Sequence, residues 1–222
     1  MKTMNMKMRK GLVLGTLVVT GVLILVHASL VSATTIGFED ILAPGQYRAT
    51  FTNPYDGFTF AGTQKVLAHD YLVTETGIIH GTVGNASWLS GSTGVSFSSL
   101  NAQTFNFIGA YITPIFNNNQ PITVQGWLNG SVVYTQTVTS SWSAGTFWTF
   151  DFAHVDKVSI TPDAGGTLDP AFSPWSAKFD GTRYLVVDNI TYVTNPEPAS
   201  ILLMTSGLVG LGLWRALRSR KG

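Results

Sequence analysis

ITVQGWLNGSVVYTQTVT, residues 122–139, is the stretch of this 222-residue chain that most clearly decides its fold. Two runs in which apolar and polar side chains alternate, Ile122–Leu128 and Ser131–Thr139, are separated by the dipeptide Asn129-Gly130. Alternation with a period of two is typical of a β-strand that is buried on one face. Asparagine and glycine both tolerate the positive φ that a type I′ turn requires. The stretch therefore predicts a tight antiparallel hairpin.

The hairpin belongs to a series of short alternating runs between residues 34 and 194, separated by turn-forming residues. We find no window of helical periodicity longer than two turns in this part of the chain. The series predicts one all-β domain over residues 34–194, a two-sheet antiparallel sandwich of the jelly-roll kind. The predicted strands are Thr35–Ile41, Gly57–Ala61, Tyr71–Glu75, Gly94–Ser98, Thr104–Thr113, Ile122–Leu128, Ser131–Thr139, Thr146–Phe152, Lys157–Thr161 and Arg183–Val193.

The arrangement of these strands can be predicted in part. Alternation places Phe105, Phe107 and Tyr111 on the same, buried face of one strand. The first and last strands are expected to pair and close the domain. Two segments, Leu42–Tyr55 and Pro162–Thr182, interrupt the alternation, and the second is too long for a plain turn.

The N-terminal segment has the features of a signal peptide. Basic residues, Lys2, Lys7, Arg9 and Lys10, precede an apolar stretch that would form a helix over residues 11–26, and small residues follow up to Ala33. We expect residues 1–33 to be a signal peptide that signal peptidase cleaves after Ala33. The alternative is an uncleaved N-terminal anchor, because the apolar stretch is slightly long for a signal peptide.

Residues 195–222 have the features of a membrane-sorting segment. The tripeptide Pro196-Glu197-Pro198 directly precedes an uncharged run, Ala199–Trp214, which as a helix spans roughly 24 Å. That length is enough for a short transmembrane helix if the bilayer thins or flanking side chains snorkel. The basic residues behind it, which are Arg215, Arg218, Arg220 and Lys221, predict that this end is cytoplasmic and that the preceding domain is outside.

In order and spacing this segment resembles the PEP-CTERM sorting signal of exported proteins in Gram-negative bacteria that make extracellular polysaccharide. The resemblance implies an exosortase-type membrane protease that cuts near the tripeptide, transient anchoring in the inner membrane, and a final location at the cell surface or outside the cell. The alternative is an ordinary C-terminal anchor. Phrases of the domain itself, such as Tyr55–Phe60 and Val187–Tyr192, are similar to a β-sandwich common among PEP-CTERM proteins, which implies a fold but no assigned activity.

Composition and motifs exclude several classes of function. Without its two ends the chain keeps five basic and eleven acidic residues, a net charge of about −6, which disfavours nucleic-acid binding. The chain has no cysteine, so it forms neither disulfides nor zinc–thiolate sites. It has no Gly-x-Ser-x-Gly elbow, no His-Glu-x-x-His motif and no phosphate-binding loop, and its histidines after the leader, His69, His80 and His154, are scattered. We therefore expect a non-enzymatic surface or matrix protein. There are two alternatives, a glycan-binding module and a glycan-active enzyme with an unrecognised carboxylate pair.

A calcium site is the one cofactor site that the sequence suggests. The jelly-roll class includes carbohydrate-binding modules, whose terminal strands commonly carry a structural Ca²⁺, and this resemblance directs attention to the two terminal strands. Glu39 and Asp40 lie in the first predicted strand, and Asp188 and Asn189 lie in the last. Carboxylate and amide oxygens are the ligands that calcium prefers. The alternative is that these residues form an ordinary solvated rim.

Three aromatic residues in predicted loops are candidates for glycan contact. Tyr55, Phe172 and Trp175 lie in Pro-containing segments outside the strand pattern, where aromatic side chains are harder to bury and more often mark contact sites. Extracellular polysaccharide is therefore the partner that we expect for the domain, beside signal peptidase and the exosortase. The alternative is that these rings fold down over the core.

We expect the mature protein to lack both ends. Mass spectrometry of the extracellular fraction should find an N-terminus near Thr34 and no peptide from 202–222. If a protease recognises the tripeptide, Glu197→Ala should hold the protein in the membrane fraction, whereas Thr205→Ala, inside the apolar run, should be released normally. Intact tail peptides outside the cell would contradict the resemblance to a sorting signal.

Overall fold

A computed structural model describes residues 32–68, 86–143, 145–172, 183–194, 206–212 and 215. The signal peptide up to Val31, the predicted strand Tyr71–Glu75 and the tripeptide Pro196-Glu197-Pro198 lie outside the described residues. Residues 33–195 form one compact unit with its own core. A helical segment occupies residues 206–212. No helix within the described ranges has the length and apolar character needed to cross a membrane.

The described part of the unit is built mainly from β-strands, with single 3-10 turns at Leu100–Ala102 and Pro170–Phe172. The strands are β1 (Thr34–Ile36), β2 (Arg48–Thr50), β3 (Phe58–Ala61), β4 (Lys65–Ala68), β5 (Ala86–Ser90), β6 (Val95–Ser99), β7 (Phe105–Pro114), β8 (Asn117–Asn118), β9 (Gln120–Leu128), β10 (Ser131–Ser140), β11 (Phe147–Val155), β12 (Lys157–Pro162), β13 (Thr167–Leu168) and β14 (Leu185–Thr194).

These strands form an antiparallel β-sandwich. The seven-stranded sheet has the order β11-β7-β14-β5-β4-β2, with β1 also paired to β14, and the five-stranded sheet has the order β10-β9-β12-β6-β3. Strands β8 and β13 form a separate pair. Apolar side chains from both large sheets meet in one core, in which Phe38, Phe51, Phe60, Trp88 and Phe97 are all buried. The coarse prediction of a two-sheet antiparallel sandwich is confirmed.

The predicted hairpin is present. β9 and β10 pair from Leu128↔Ser131 to Gln120↔Ser140, and both turn residues have positive φ, 50° at Asn129 and 78° at Gly130. These values are those of a type I′ turn, whose twist matches that of the flanking strands. The turn therefore determines the register next to it, and a register shift between Val132 and Tyr134 sets the register of the rest of the pair.

The first and last strands also pair as predicted, in the register Thr34↔Tyr192 to Ile36↔Ile190. The first strand is shorter than the predicted Thr35–Ile41, because the chain leaves the sheet after Ile36 and turns at residues 39–42.

The buried face of β7 changes partway along the strand. Phe105 and Phe107 are buried as predicted, but the next large buried residue is Ile112, and Tyr111 is only half-buried on the opposite face. Both neighbours of β7, β11 and β14, have register shifts beside this part of the strand. Between Thr191 and Tyr192 β14 advances one residue while β7 advances two, from Gly109 to Phe107, so β7 itself is bulged there. Because a bulge redirects the side chains of its own strand, the prediction that Tyr111 shares a face with Phe105 is wrong.

The segment that follows β12 is more ordered than its lack of alternation suggests. It contains β13 and a 3-10 turn, and the carboxylate of Asp169 holds it in place. This carboxylate accepts hydrogen bonds from Asn118 Nδ2 at 2.9 Å, from Trp142 Nε1 at 3.1 Å and from the backbone N–H of Ala171 at 3.0 Å. The backbone and side-chain donors lower the pKa of Asp169. These interactions identify Asp169 as a structural residue of the loop.

The turn between β9 and β10 allows a test of the hairpin by mutation. A Cβ atom at Gly130 would meet no atom within 4 Å, so the cost of Gly130→Val comes from the backbone conformation. We expect a loss of about 1–3 kcal/mol in the free energy of unfolding, because a β-branched residue is strained at positive φ. Asn129→Gly is the matched control and should change stability little. Urea titration of the two variants measures the difference, and equal midpoints would contradict the turn assignment.

Candidate functional site

β14 changes its neighbour in the middle of the strand. Residues Leu185–Val187 pair with β5, whereas Ile190–Tyr192 pair with β1. On the other side, the pairing with β7 has a register shift between Asp188 and Thr191, and Asn189 has a φ of 47°. We call Gly37, Glu39, Asp188 and Asn189, which lie where β1 takes over from β5, the strand junction.

Asp188 is an acidic residue in an unfavourable place. Its side chain is 2% exposed, and its Oδ1 accepts the backbone N–H of Asn189 at 2.7 Å, while Oδ2 is buried without a hydrogen-bond partner. Burial and, to a smaller extent, the negative charge of Glu39 raise the pKa of Asp188 to about 7, although the hydrogen bond from the Asn189 N–H opposes this rise. A buried carboxylate with an unsatisfied oxygen requires either a proton or a cation beside it.

Three of the four predicted calcium ligands lie at the strand junction. A Cβ atom built at Gly37 would lie 3.6 Å from Asn189 Oδ1 and 3.8 Å from Glu39 Cγ, so these two side chains flank the same glycine. The exposed Glu39 is also near enough for its charge to act on Asp188.

The fourth predicted ligand, Asp40, is engaged elsewhere. Its Oδ1 accepts the hydroxyl of Tyr55 at 2.5 Å, and the same hydroxyl lies 3.0 Å from the carbonyl oxygen of Gly37. Burial and the neighbouring Asp40 raise the pKa of Tyr55, so this hydroxyl keeps its proton and remains a donor. Because this contact uses only Oδ1, the prediction that Asp40 joins Glu39 as a ligand stays a prediction.

The strand junction fits a partly hydrated hard cation. Calcium takes six to eight oxygens, and the junction offers the carboxylates of Asp188 and Glu39 and the amide oxygen of Asn189. The described residues include no cluster of three or more His, Cys, Asp or Glu that could hold a metal, so backbone carbonyls and water would have to supply the remaining ligands. The unsatisfied Oδ2 of Asp188 is the observation that supports the fit.

The predicted glycan contacts lie elsewhere. Tyr55 is half-buried, and its ring stacks on Phe38 with centroids 5.7 Å apart. Phe172 is fully buried in a second apolar cluster, where its ring packs edge-on against Phe116 and Trp142. It has no exposed face for a sugar, which corrects the prediction for this residue. Trp175 lies outside the described residues.

The outer face of the five-stranded sheet carries mostly small hydroxyl side chains, and we call it the hydroxyl face. Strand register orders its side chains into rows across the sheet. One row contains Val132, Trp127, Lys157, Ser98 and Thr59. The next contains Thr135, Gln125, Ser159, Ser96 and Ala61, and a third contains Thr137, Thr123 and Thr161. Along its margin Pro121 pairs with Thr139.

Trp127 is held in a fixed orientation on the hydroxyl face. Its indole N–H donates to Ser159 Oγ at 3.0 Å, and the ammonium of Lys157 lies 4.9 Å from the ring centroid. Hydroxyls also contact one another across the strands, with 3.1 Å between Thr123 Oγ1 and Thr137 Oγ1. Alternation along β9 is enough to place Trp127 on this face. The sequence analysis did not identify it as a contact residue, because it assigned aromatic residues in strands to the core.

No family model and no curated protein sequence matches this chain. Among solved structures, a DUF4465 family protein from Bacteroides caccae matches with 14% identity and a TM-score of 0.47, over 74% of this chain and 100% of that one. A family two carbohydrate esterase from Cellvibrio japonicus matches with 14% identity and a TM-score of 0.37, over 75% of this chain and 35% of that one. The K1 adhesin domain of Lys-gingipain from Porphyromonas gingivalis matches with 12% identity and a TM-score of 0.36, over 74% of this chain and 99% of that one.

The strand junction should make stability depend on pH and on calcium through one residue. Because the pKa of Asp188 rises from 3.8 to about 7 on folding, the folded chain retains a proton that the unfolded chain loses between these values. With a chelator present, the free energy of unfolding should therefore fall as pH rises through this window. At pH 8, calcium at a hundredfold excess over its dissociation constant should restore about 2.7 kcal/mol, measured as a rise in Tm.

Two variants isolate the contribution of Asp188 to this effect. Asp188→Asn should abolish the response to calcium and flatten the pH dependence, whereas Asp151→Asn, at an exposed position of β11, should preserve both. Identical melting curves of the parent protein with calcium and with chelator would show that the junction binds no calcium.

Proposed function

We propose that this protein is an exported, non-enzymatic component of the cell surface or extracellular matrix, and that its sandwich binds polysaccharide through the hydroxyl face. One observation carries the binding proposal: an indole held by Ser159 lies among side chains that both donate and accept hydrogen bonds. The proposal replaces the loop aromatics as the contact site with a sheet face built from five strands.

The chemistry of the hydroxyl face matches that of a sugar chain. A sugar ring has apolar C–H surfaces, which pack on an aromatic face, and hydroxyls that each donate and accept. Serine and threonine hydroxyls do the same, and the amide of Gln125 adds separate donor and acceptor groups. Because neighbouring strands are about 4.8 Å apart, an extended chain lying across the sheet would meet a new polar side chain at each strand.

Lys157 affects which glycans would bind. Its ammonium lies over the ring of Trp127, at the opposite side of the hydroxyl face from the carboxylate of Asp163, which accepts a hydrogen bond from Thr123 Oγ1 at 2.7 Å. A ligand that packs on this ring must displace the ammonium, which costs a cation–π interaction. A glycan with carboxylate or sulfate groups can offer the displaced ammonium a new partner, so we expect acidic polysaccharides to bind more tightly than neutral ones.

The two ends of the chain and the strand junction fit this proposal. A signal peptide and an exosortase-processed tail would deliver the domain to the exterior, where extracellular modules bind calcium with dissociation constants of about 10⁻⁴–10⁻³ M. A weak site that combines Asp188 with water ligands would be sufficient there. The role of calcium in this proposal is structural, because it would tie β1 and β14 together at the point where β14 changes its neighbour.

Replacing Trp127 tests the proposed binding face. On an array of neutral and acidic polysaccharides, residues 33–195 should bind at least one polysaccharide. Trp127→Ala should weaken that binding about tenfold or more, which corresponds to roughly 1.4 kcal/mol for each factor of ten. Gln125→Ala should weaken binding by less. Tyr47→Ala, at an aromatic residue that is 50% exposed and outside the hydroxyl face, is the matched control and should bind normally. Equal affinities for Trp127→Ala and Tyr47→Ala would contradict the proposal.

A further inference from the structure

β10 is an edge strand that is open over most of its length. It pairs with β9 on one side, and within the described residues no strand and no backbone hydrogen bond is found on its other side. Residues 131–137 are exposed, including Val132 at 42% and Val133 at 46%, whereas the ring of Tyr134, 37% exposed, stacks on Phe152 of β11 with centroids 5.0 Å apart. An edge of this kind presents unpaired N–H and C=O groups to which another strand can add.

The other sheet edges in the described part of the chain are protected. At β3, the side-chain amide of Asn53 accepts the N–H of Phe60 at 2.9 Å and donates to its carbonyl at 2.6 Å, so it occupies the place of a neighbouring strand. β1 and β2 have three residues each. β11 has two register shifts, with exposed Asp151 and His154 at positive φ. Short strands, bulges and charges are the usual devices that prevent edge-to-edge pairing.

β10 has almost none of these devices. Its sequence, SVVYTQTVTS, contains no charged residue, no proline and no glycine, and it is rich in β-branched residues. Its one register shift, between Val132 and Tyr134, lies at its start and leaves the strand regular from Tyr134 to Ser140. Among the described edges, β10 is therefore the one to which another strand could add most easily.

We propose that β10 pairs with β10 of a second copy of this chain, antiparallel across a twofold axis perpendicular to the sheet. Such an axis keeps the hydroxyl face of both copies on the same side, and with the axis at Gln136 it places Thr135 of one copy opposite Thr137 of the other. This extends the row of threonine hydroxyls that already joins Thr123 to Thr137. Because β10 is uncharged, two copies bring no like charges together, and a charged partner would find no complementary group.

The expected contact is weak. Pairing one strand of this length buries less than the roughly 1,200 Å² at which stable interfaces begin, so the dimer should form at high micromolar concentrations rather than nanomolar ones. A high micromolar affinity is sufficient for dimers to form in a dense surface layer, because tethered copies meet at a high effective concentration. The pairing would join two hydroxyl faces into one continuous surface, but it does not depend on whether that surface binds polysaccharide.

The test uses the compact unit of residues 33–195 in the absence of any glycan. Sedimentation equilibrium over a concentration series should show a monomer–dimer equilibrium. Thr135→Lys places a positive charge in the proposed interface of each copy and should weaken the dimer at least tenfold. Thr59→Lys, the same substitution on the protected edge β3 of the same sheet, should leave it unchanged.

Because the chain has no cysteine, single cysteines report the geometry directly. On oxidation, an equimolar mixture of Thr135→Cys and Thr137→Cys should form a disulfide-linked dimer, since these two positions lie opposite each other across a twofold axis at Gln136. Thr149→Cys on β11 should remain monomeric. A protein that stays monomeric at all concentrations, a dimer that Thr59→Lys weakens as much as Thr135→Lys does, or cross-linking only at residue 149 would overturn the proposal.

Discussion

The pairing of β14 with three other strands is the interaction on which the rest of the larger sheet depends. β14 bonds to β7 along one side, and along the other it bonds first to β5 and then to β1, so it joins the beginning, middle and end of the chain. A strand that changes its neighbour must pass a point where the ladder is interrupted. Asp188 and Asn189 lie at that point, next to the register shift. The Asp188 carboxylate is buried there, although burying an unpaired charge is energetically unfavourable. The candidate cation site is thus a consequence of the topology.

The hairpin of β9 and β10 has a comparable position in the smaller sheet. β9 contributes Trp127 and Gln125 to the hydroxyl face, and β10 contributes both a row of threonines and the open edge. Side chains on the two faces of β9 separate cleanly, since Ile122 and Val124 are fully buried in the core while their neighbours in sequence point outward. One short hairpin, determined by an Asn-Gly turn, therefore supports the core, the proposed binding face and the proposed contact between copies.

Features governed by local chemistry could be predicted from the sequence, and features that depend on neighbouring strands could not. The hairpin followed from Asn129-Gly130 and strict alternation, and the long strands β7, β9, β10, β12 and β14 were located to within a few residues. Short strands such as β2 and β13 were missed because two or three residues show no periodicity. β4 and β5 were missed because most of their side chains are buried, so apolar and exposed positions do not alternate. Tyr111 was assigned to the wrong face because β7 has a bulge between Phe107 and Gly109 that the alternation does not reveal. At the site, the residue types predicted Glu39, Asp188 and Asn189, but the engagement of Asp40 by Tyr55 and the burial of Phe172 depend on tertiary packing.

The antiparallel register of β1 and β14 has a mechanical consequence. Thr34 at the start of the unit lies opposite Tyr192 near its end, so both ends of the chain leave the sandwich from the same side. A pulling force applied between residues 34 and 194 would load the hydrogen bonds of this pair one after another, as in opening a zipper, rather than all at once in shear. The domain would resist such a force weakly. A load transmitted across the sheets, between copies joined at β10, would instead be shared by many strands.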